Sequence, residues 1–138
     1  MVMKNILIVG TGTIGEPLIG LLAQHKKELG IDNVSFFKRT PLSDEKGKVE
    51  ALIRKGAKLV ATSEAKNDFV SMGFSVEQLE KSYEENQIII DCTPSGNKNW
   101  DEIYSNLDKD KRYLAQGSGT WIWSFFAWGI NNDLDQTE

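Results

Sequence analysis

Short apolar runs alternate with amphipathic stretches along most of this chain. Asn5–Val9 reads as a first strand, apolar as a strand covered on both faces must be. The glycine run Gly10-Thr11-Gly12-Thr13-Ile14-Gly15 follows, and then a helical pattern begins at once. Ile14, Leu18, Leu21 and Leu22 recur at helical spacing and predict one buried stripe. Thr13 with Glu16 three residues on predicts a capping box, and Pro17 predicts a local distortion of the first turn. Gly30 ends that region, and Asn33–Phe37 is a second strand closed by Pro41. A helix over Asp44–Lys55 buries Val49, Leu52 and Ile53 and stops at Gly56. Lys58–Ala61 is a third strand, and Glu64–Met72 is a short helix ended by Gly73. Ser75 with Gln78 predicts another capping box, for a helix with Val76, Leu79 and Tyr83 on its buried face.

Gln87–Asp91 reads as a fourth strand. A helix from about Asn99 carries Trp100, Ile103, Tyr104 and Leu107, and Arg112–Ala115 is a fifth strand. Trp121–Ile130 reads as a sixth, with Trp121, Trp123 and Phe125 on one face and Ile122, Phe126, Trp128 and Ile130 on the other. Strands alternating with helices predict an α/β, Rossmann-like, doubly wound and mostly parallel sheet with helices on both faces, one domain over 1–138.

Composition changes this picture little. The net charge of −4 over 138 residues gives no basic footprint for nucleic acid and suits an anionic membrane surface poorly. The apolar run at the N-terminus is broken by Gly10, Gly12, Gly15, Glu16 and Pro17, which argues against a signal peptide. No stretch approaches the length of a membrane span. A single cysteine, Cys92, allows no internal disulfide, and a reducing cytoplasm is the expected location.

In a sheet of this type ligands bind beyond the carboxyl ends of the strands, where strand order reverses. Four loops are candidates. Gly10 permits a sharp exit from the first strand, Gly12 lets backbone approach a pyrophosphate, and Gly15 allows close helix packing. The helix N-terminus that follows offers free N–H groups and a positive dipole end to phosphate. Lys38-Arg39-Thr40 stands where NAD-binding proteins carry an acid for the ribose 2′-hydroxyl. Two cations and a hydroxyl suit a 2′-phosphate, so NADP is expected in preference to NAD; the other reading is a solvated basic turn. Thr93-Pro94-Ser95-Gly96 could run beside the nicotinamide ribose or the adenosine, and Gln116-Gly117-Ser118-Gly119 could line the nicotinamide end. Either could equally be a plain connection.

No catalytic or metal-binding group emerges. Cys92 ends an apolar strand without a neighbouring histidine and reads as structural, and His25 reads as a solvated cation late in the first helix. Asp91 serves as an anchor or as a simple strand end. No cluster has metal-ligand spacing.

Gly-Thr-Gly-Thr-Ile-Gly at 10–15, Lys38 with Thr40-Pro41, Lys55-Gly56, Asp91-Cys92-Thr93-Pro94-Ser95-Gly96 and Gln116-Gly117 together resemble the N-terminal cofactor domain of archaeal-type (type II) glyceraldehyde-3-phosphate dehydrogenase. The resemblance implies a cytoplasmic, glycolytic NAD(P)-dependent oxidoreductase. Thr13 and Ile14 would contact the cofactor phosphates, Lys38 would favour NADP, and Gly117 would lie near the nicotinamide. Three features depart from the family. Glu16-Pro17 replaces a basic pair, and the segment after Gly117 is tryptophan-rich. The sequence stops at Glu138, about where the catalytic Ser-Cys-Asn-Thr-Thr segment would begin, so the catalytic domain is expected to be absent and the chain alone inactive. The apolar 121–130 strand is then expected to self-associate or to meet the missing domain. A stand-alone regulatory module that binds dinucleotide, or an interaction protein without catalysis, stays open beside this reading.

Overall fold

The computed structural model describes residues 4–94, 96–107, 110–117 and 120–122. Seven strands form one sheet: β1 (Asn5–Val9), β2 (Asn33–Phe37), β3 (Ala57–Ala61), β4 (Glu77–Gln78), β5 (Ile88–Asp91), β6 (Arg112–Gly117) and β7 (Thr120–Ile122). Their spatial order is β4-β3-β2-β1-β5-β6-β7. All neighbours are parallel except β6 and β7, which pair antiparallel. Six helices accompany them among the described residues: α1 (Gly15–Gln24), α2 (Lys26–Leu29), α3 (Lys46–Arg54), α4 (Ser63–Ser71), α5 (Leu79–Glu85) and α6 (Gly96–Glu102). The chain winds outward from β1 through β2 and β3 to β4, then returns to β5 on the other side of β1. The fold is therefore the expected α/β, Rossmann-like arrangement, and strand order reverses between β1 and β5.

The period-2 geometry of the strands divides the core in two. Ile6 and Ile8 of β1, with Val34 and Phe36 of β2 and Ala57, Leu59 and Ala61 of β3, face Ile19 and Ala23 of α1, Val49 and Leu52 of α3, and Ala65 and Phe69 of α4. Leu7, Val9, Val60 and Ile89 face the opposite way, against Leu79, Tyr104 and Tyr113. The central strand β1 is apolar on both faces because each face is covered by its own packed layer.

Several local expectations are corrected. Thr13 does not cap α1: the helix starts two residues later, Ile14 holds the cap position, and no side-chain cap bond forms. Glu16 turns instead to Lys48 of α3. The buried face of α1 is Gly15, Ile19, Gly20 and Ala23, while Ile14 and Leu21 are exposed. Of the expected stripe Leu22 does pack partly against the core, while the closest approaches are made by Gly15 to the turn and by Gly20 to Leu52 and Lys55. Pro17 lies in the first turn of α1, where an absent N–H costs little, and the helix runs through it. Ser75 caps nothing: residues 77 and 78 are drawn into β4 beside β3, so α5 begins at Leu79. The cap found at α4 is Thr62, whose hydroxyl accepts from the Ala65 N–H at 3.3 Å.

The fifth predicted strand is longer than expected. Gln116 and Gly117 belong to β6 rather than to a loop, because β7 folds back and pairs Gln116 with Trp121 and Gly117 with Thr120. The final apolar strand thus begins antiparallel at the edge of the described sheet. Residues 123–130, and with them most of the expected two-faced apolar strand, lie outside the described residues.

Candidate functional site at the carboxyl ends of β1, β2 and β5

The turn after β1 is built by steric necessity at two of its three glycines. Gly10 has a φ of 108°, which disfavours any side chain, and a Cβ there would stand 3.0 Å from the Thr93 methyl. At Gly15 a Cβ would lie 2.0 Å from the Gly10 carbonyl oxygen, so no other residue fits. Gly12 is different. It is exposed, and a Cβ there would meet nothing within 4 Å. Neither packing nor a left-handed backbone accounts for glycine at this position.

The same turn leaves a run of backbone donors unused. Glu16 N–H donates to the Gly12 carbonyl at 3.1 Å and Gly10 N–H to the Phe37 carbonyl at 3.3 Å. Among the described residues, the N–H groups of Thr11, Gly12, Thr13, Ile14 and Gly15 between them donate to no backbone carbonyl. Consecutive free N–H groups at the start of a helix form an anion-binding concavity. The open position at Gly12 allows a ligand to reach that backbone. These features fit a dinucleotide pyrophosphate held by the Gly10–Gly15 turn.

The loop after β5 meets this turn directly. A Gly10 Cβ would also touch the Cys92 carbonyl carbon and the Thr93 nitrogen, both at 3.4 Å. Asp91 holds the loop in place. Its carboxylate is fully buried and accepts from Thr93 N–H at 2.8 Å, Thr93 hydroxyl at 2.5 Å, Asn99 amide at 2.7 Å and Tyr104 hydroxyl at 2.5 Å. Asp91 is thus an anchor, tying the end of β5 to α6 and to the turn that follows it. Burial, and then the Asp91 charge, push the Tyr104 phenol far above its ordinary value. Pro94 is exposed beside this anchor, Gly96 opens α6, and Ser95 lies outside the described residues. Gln116 and Gly117 extend β6 beyond Ala115, the residue that pairs with Asp91, on the same side of the sheet.

Cys92 sits beneath the glycine turn, with its Cβ 3.5 Å from where a Gly15 side chain would begin. Burial first, and then the Asp91 charge, raise its thiol from an ordinary 9.0 to about 11. A group raised in this way favours the fold while protonated. That contribution is complete below pH 9 and is lost as the pH climbs through about 11. Alkylation of the native protein by iodoacetamide is therefore expected to stay slow through pH 9 and to accelerate only near pH 11. A plateau of fast alkylation at neutral pH would contradict this assignment.

The turn after β2 carries the largest departure from a simple reading. Lys38 is buried, and its ammonium is paired with Glu45, from the short 3-10 turn that precedes α3. Hydrogen bonding to Lys38, with the charges of Lys38 and Lys48, outweighs desolvation and holds the Glu45 carboxyl below its ordinary value. The Lys38 charge is thereby committed within the protein, whereas Arg39 and Thr40 are exposed. Lys48 continues the network: its ammonium donates to the Thr11 carbonyl at 2.9 Å and lies 3.5 Å from both Glu45 and Glu16. Sequence reasoning missed Glu45 and Lys48. Their i, i+3 spacing was visible, but nothing local signals a contact from Lys48 to a turn 37 residues away.

Among the described residues no cluster of metal-ligating side chains occurs, and no helix is long and apolar enough to cross a membrane. A cleft of about 470 Å³ lies away from this site, at the amino end of β3 beside Phe74 and Val76.

Fold and turn together are those of a Rossmann-like, doubly wound α/β domain. No protein-family model matches the chain, and no curated protein matches it. Among solved structures it is similar to an imine reductase from Pseudomonas sp., with a TM-score of 0.52 and 19% identity over 86% of this chain. The chain spans about a third of that protein's length, 34%.

Proposed function

We propose that this chain is the dinucleotide-binding domain of an NAD(P)-dependent oxidoreductase. The observation that carries the reading is the run of free N–H groups from Thr11 to Gly15 around an open Gly12, at the point where strand order reverses. The pyrophosphate lies on the N–H groups of Gly12, Thr13 and Ile14. Thr93, Pro94, Ser95 and Gly96 flank one half of the ligand, and Gln116 and Gly117 flank the nicotinamide end. A bound nicotinamide supplies hydride transfer. This chain's residues bind and orient it, and Cys92 takes no part in the chemistry.

NADP is the preferred form. The exposed Arg39 and Thr40 provide the donors for a 2′-phosphate, and Lys38 stands behind them in its ion pair with Glu45. An Arg39→Ala variant is expected to lose roughly tenfold or more in NADPH affinity, as befits a charge-assisted contact, while NADH affinity changes little. Calorimetric titration of both cofactors into wild type and variant checks this. Equal NADPH affinity in the two proteins would refute the preference, and no binding of either cofactor to wild type would refute the domain's proposed function.

The finer reading is the cofactor half of a glyceraldehyde-3-phosphate dehydrogenase-like enzyme, with the catalytic cysteine and substrate site on a separate domain. It is supported by the paired runs at 10–15 and 91–96. The neutralised Glu16 removes one objection to it, since that carboxylate is drawn toward Lys48.

A further inference from the structure

The glycine turn carries an acid that a phosphate-binding turn does not need. Glu16 is the second residue of α1, immediately after the run of free N–H groups. Its charge opposes the helix-terminus field that would draw a pyrophosphate there, and it acts well within a screening length of about 8 Å. Lys48 answers this acid from a different element. It sits in the first turn of α3, one quarter exposed, and its ammonium reaches three groups at once: the Thr11 carbonyl inside the turn, the Glu16 carboxylate, and Glu45. Lys38 pairs with the other oxygen of Glu45. Two cations and two carboxylates thus make a connected set, and within it the Lys48 ammonium also bonds to the backbone of the turn.

From this arrangement we infer that Lys48 is the positioning residue of the dinucleotide cradle. It fixes the turn through the Thr11 carbonyl and cancels the Glu16 charge, so that the N–H run can accept a pyrophosphate. The inference rests on the function proposed above for the same turn. Lys48 acts through Glu16 and Thr11, and the ligand is held by the backbone.

The test is calorimetric titration of NADPH and NADH into the full chain, with a thermal melt of each protein. In Lys48→Met, affinity for both cofactors is expected to fall about tenfold, the scale of one charge-assisted contact. Lys48→Arg, which keeps the charge, is expected to retain most of the affinity. The double variant Glu16→Gln, Lys48→Met is expected to regain most of the loss, because the uncompensated acid is gone. That rescue is a readout that a purely structural lysine would not give. Unchanged affinity in Lys48→Met overturns the inference while leaving the dinucleotide site standing. An equal loss in Lys48→Met and in the double variant also overturns it, since compensation of the Glu16 charge would then play no part. Wild type that binds neither cofactor overturns both the inference and the function beneath it. Should Lys48→Met fail to fold by circular dichroism, the same comparison is made with Lys48→Gln and its Glu16→Gln partner.

Discussion

A Gly15→Ala substitution is expected to destabilise the protein by about 3 kcal/mol or more, among the largest effects of any single methyl group in this chain. The added carbon would lie 2.0 Å from the Gly10 carbonyl oxygen, a backbone atom that cannot turn aside as a side chain can. To make room, α1 would have to move off the turn, and Ile19 and Ala23 would leave the core with it. Against a typical total of about 5–15 kcal/mol, that loss lowers the melting temperature by roughly 10 °C or leaves the protein insoluble. Gly12→Ala offers the contrast. Its Cβ meets nothing within 4 Å, so the melting temperature is expected to stay near wild type. Dinucleotide affinity is nonetheless expected to fall about tenfold or more, because the methyl occupies the approach to the backbone. Thermal melts and cofactor titrations of the two variants side by side check this. A stable Gly15→Ala protein, or a Gly12→Ala protein that binds as wild type does, would contradict the account of the turn.

Asp91→Ala is expected to cost about 3–5 kcal/mol by chemical denaturation. The carboxylate has no exposed surface and receives four donors, from Thr93, Asn99 and Tyr104. Removing it leaves Thr93 N–H and the buried Tyr104 hydroxyl without their acceptor, and unmatched buried donors cost more than the bond itself contributes. Asp91→Asn is expected to cost less, about 1–3 kcal/mol, since the amide keeps one accepting oxygen and the Tyr104 hydroxyl can accept from its NH2. A loss below about 1 kcal/mol in Asp91→Ala would show that the four contacts contribute little. The consequence reaches the site, because Thr93 is both tied to Asp91 and packed on Gly10. Loosening Asp91 loosens the wall of the cradle.

The sheet was legible in the sequence because its strands are short, apolar and separated by helical periodicity. Asn5–Val9 and Asn33–Phe37 have the same limits in prediction and structure, and Ala57 alone was missed from β3. What failed was decided by tertiary contact. The leucines of α1 gave a plausible stripe, and Leu22 does pack partly against the core, but Gly15, Ile19, Gly20 and Ala23 form the buried face and Leu21 is exposed. The capping box at Ser75 was consistent locally, yet pairing with β3 took Glu77 and Gln78 into the sheet. Gln116-Gly117 had the composition of a loop, and only the return of β7 makes it strand. The glycine turn was readable because Gly10 and Gly15 answer local steric demands and the spacing of the three glycines is itself a sequence pattern. The charges around it were not, since Lys38, Glu45, Lys48 and Glu16 come from four separate elements whose meeting depends on the whole fold. Asp91 was recognised as a possible anchor, but its partners Asn99 and Tyr104 lie 8 and 13 residues further on.

We propose the Gly10–Gly15 turn as a dinucleotide site. The most direct measurement is the backbone amide NMR spectrum of the chain as NADPH is added. The largest shift changes are expected at Thr11, Gly12, Thr13, Ile14 and Gly15, whose N–H groups have no carbonyl partner among the described residues, with smaller ones at Arg39, Thr40 and Thr93. Shifts confined to the cleft beside Phe74 and Val76, or no shifts at millimolar NADPH, would contradict it.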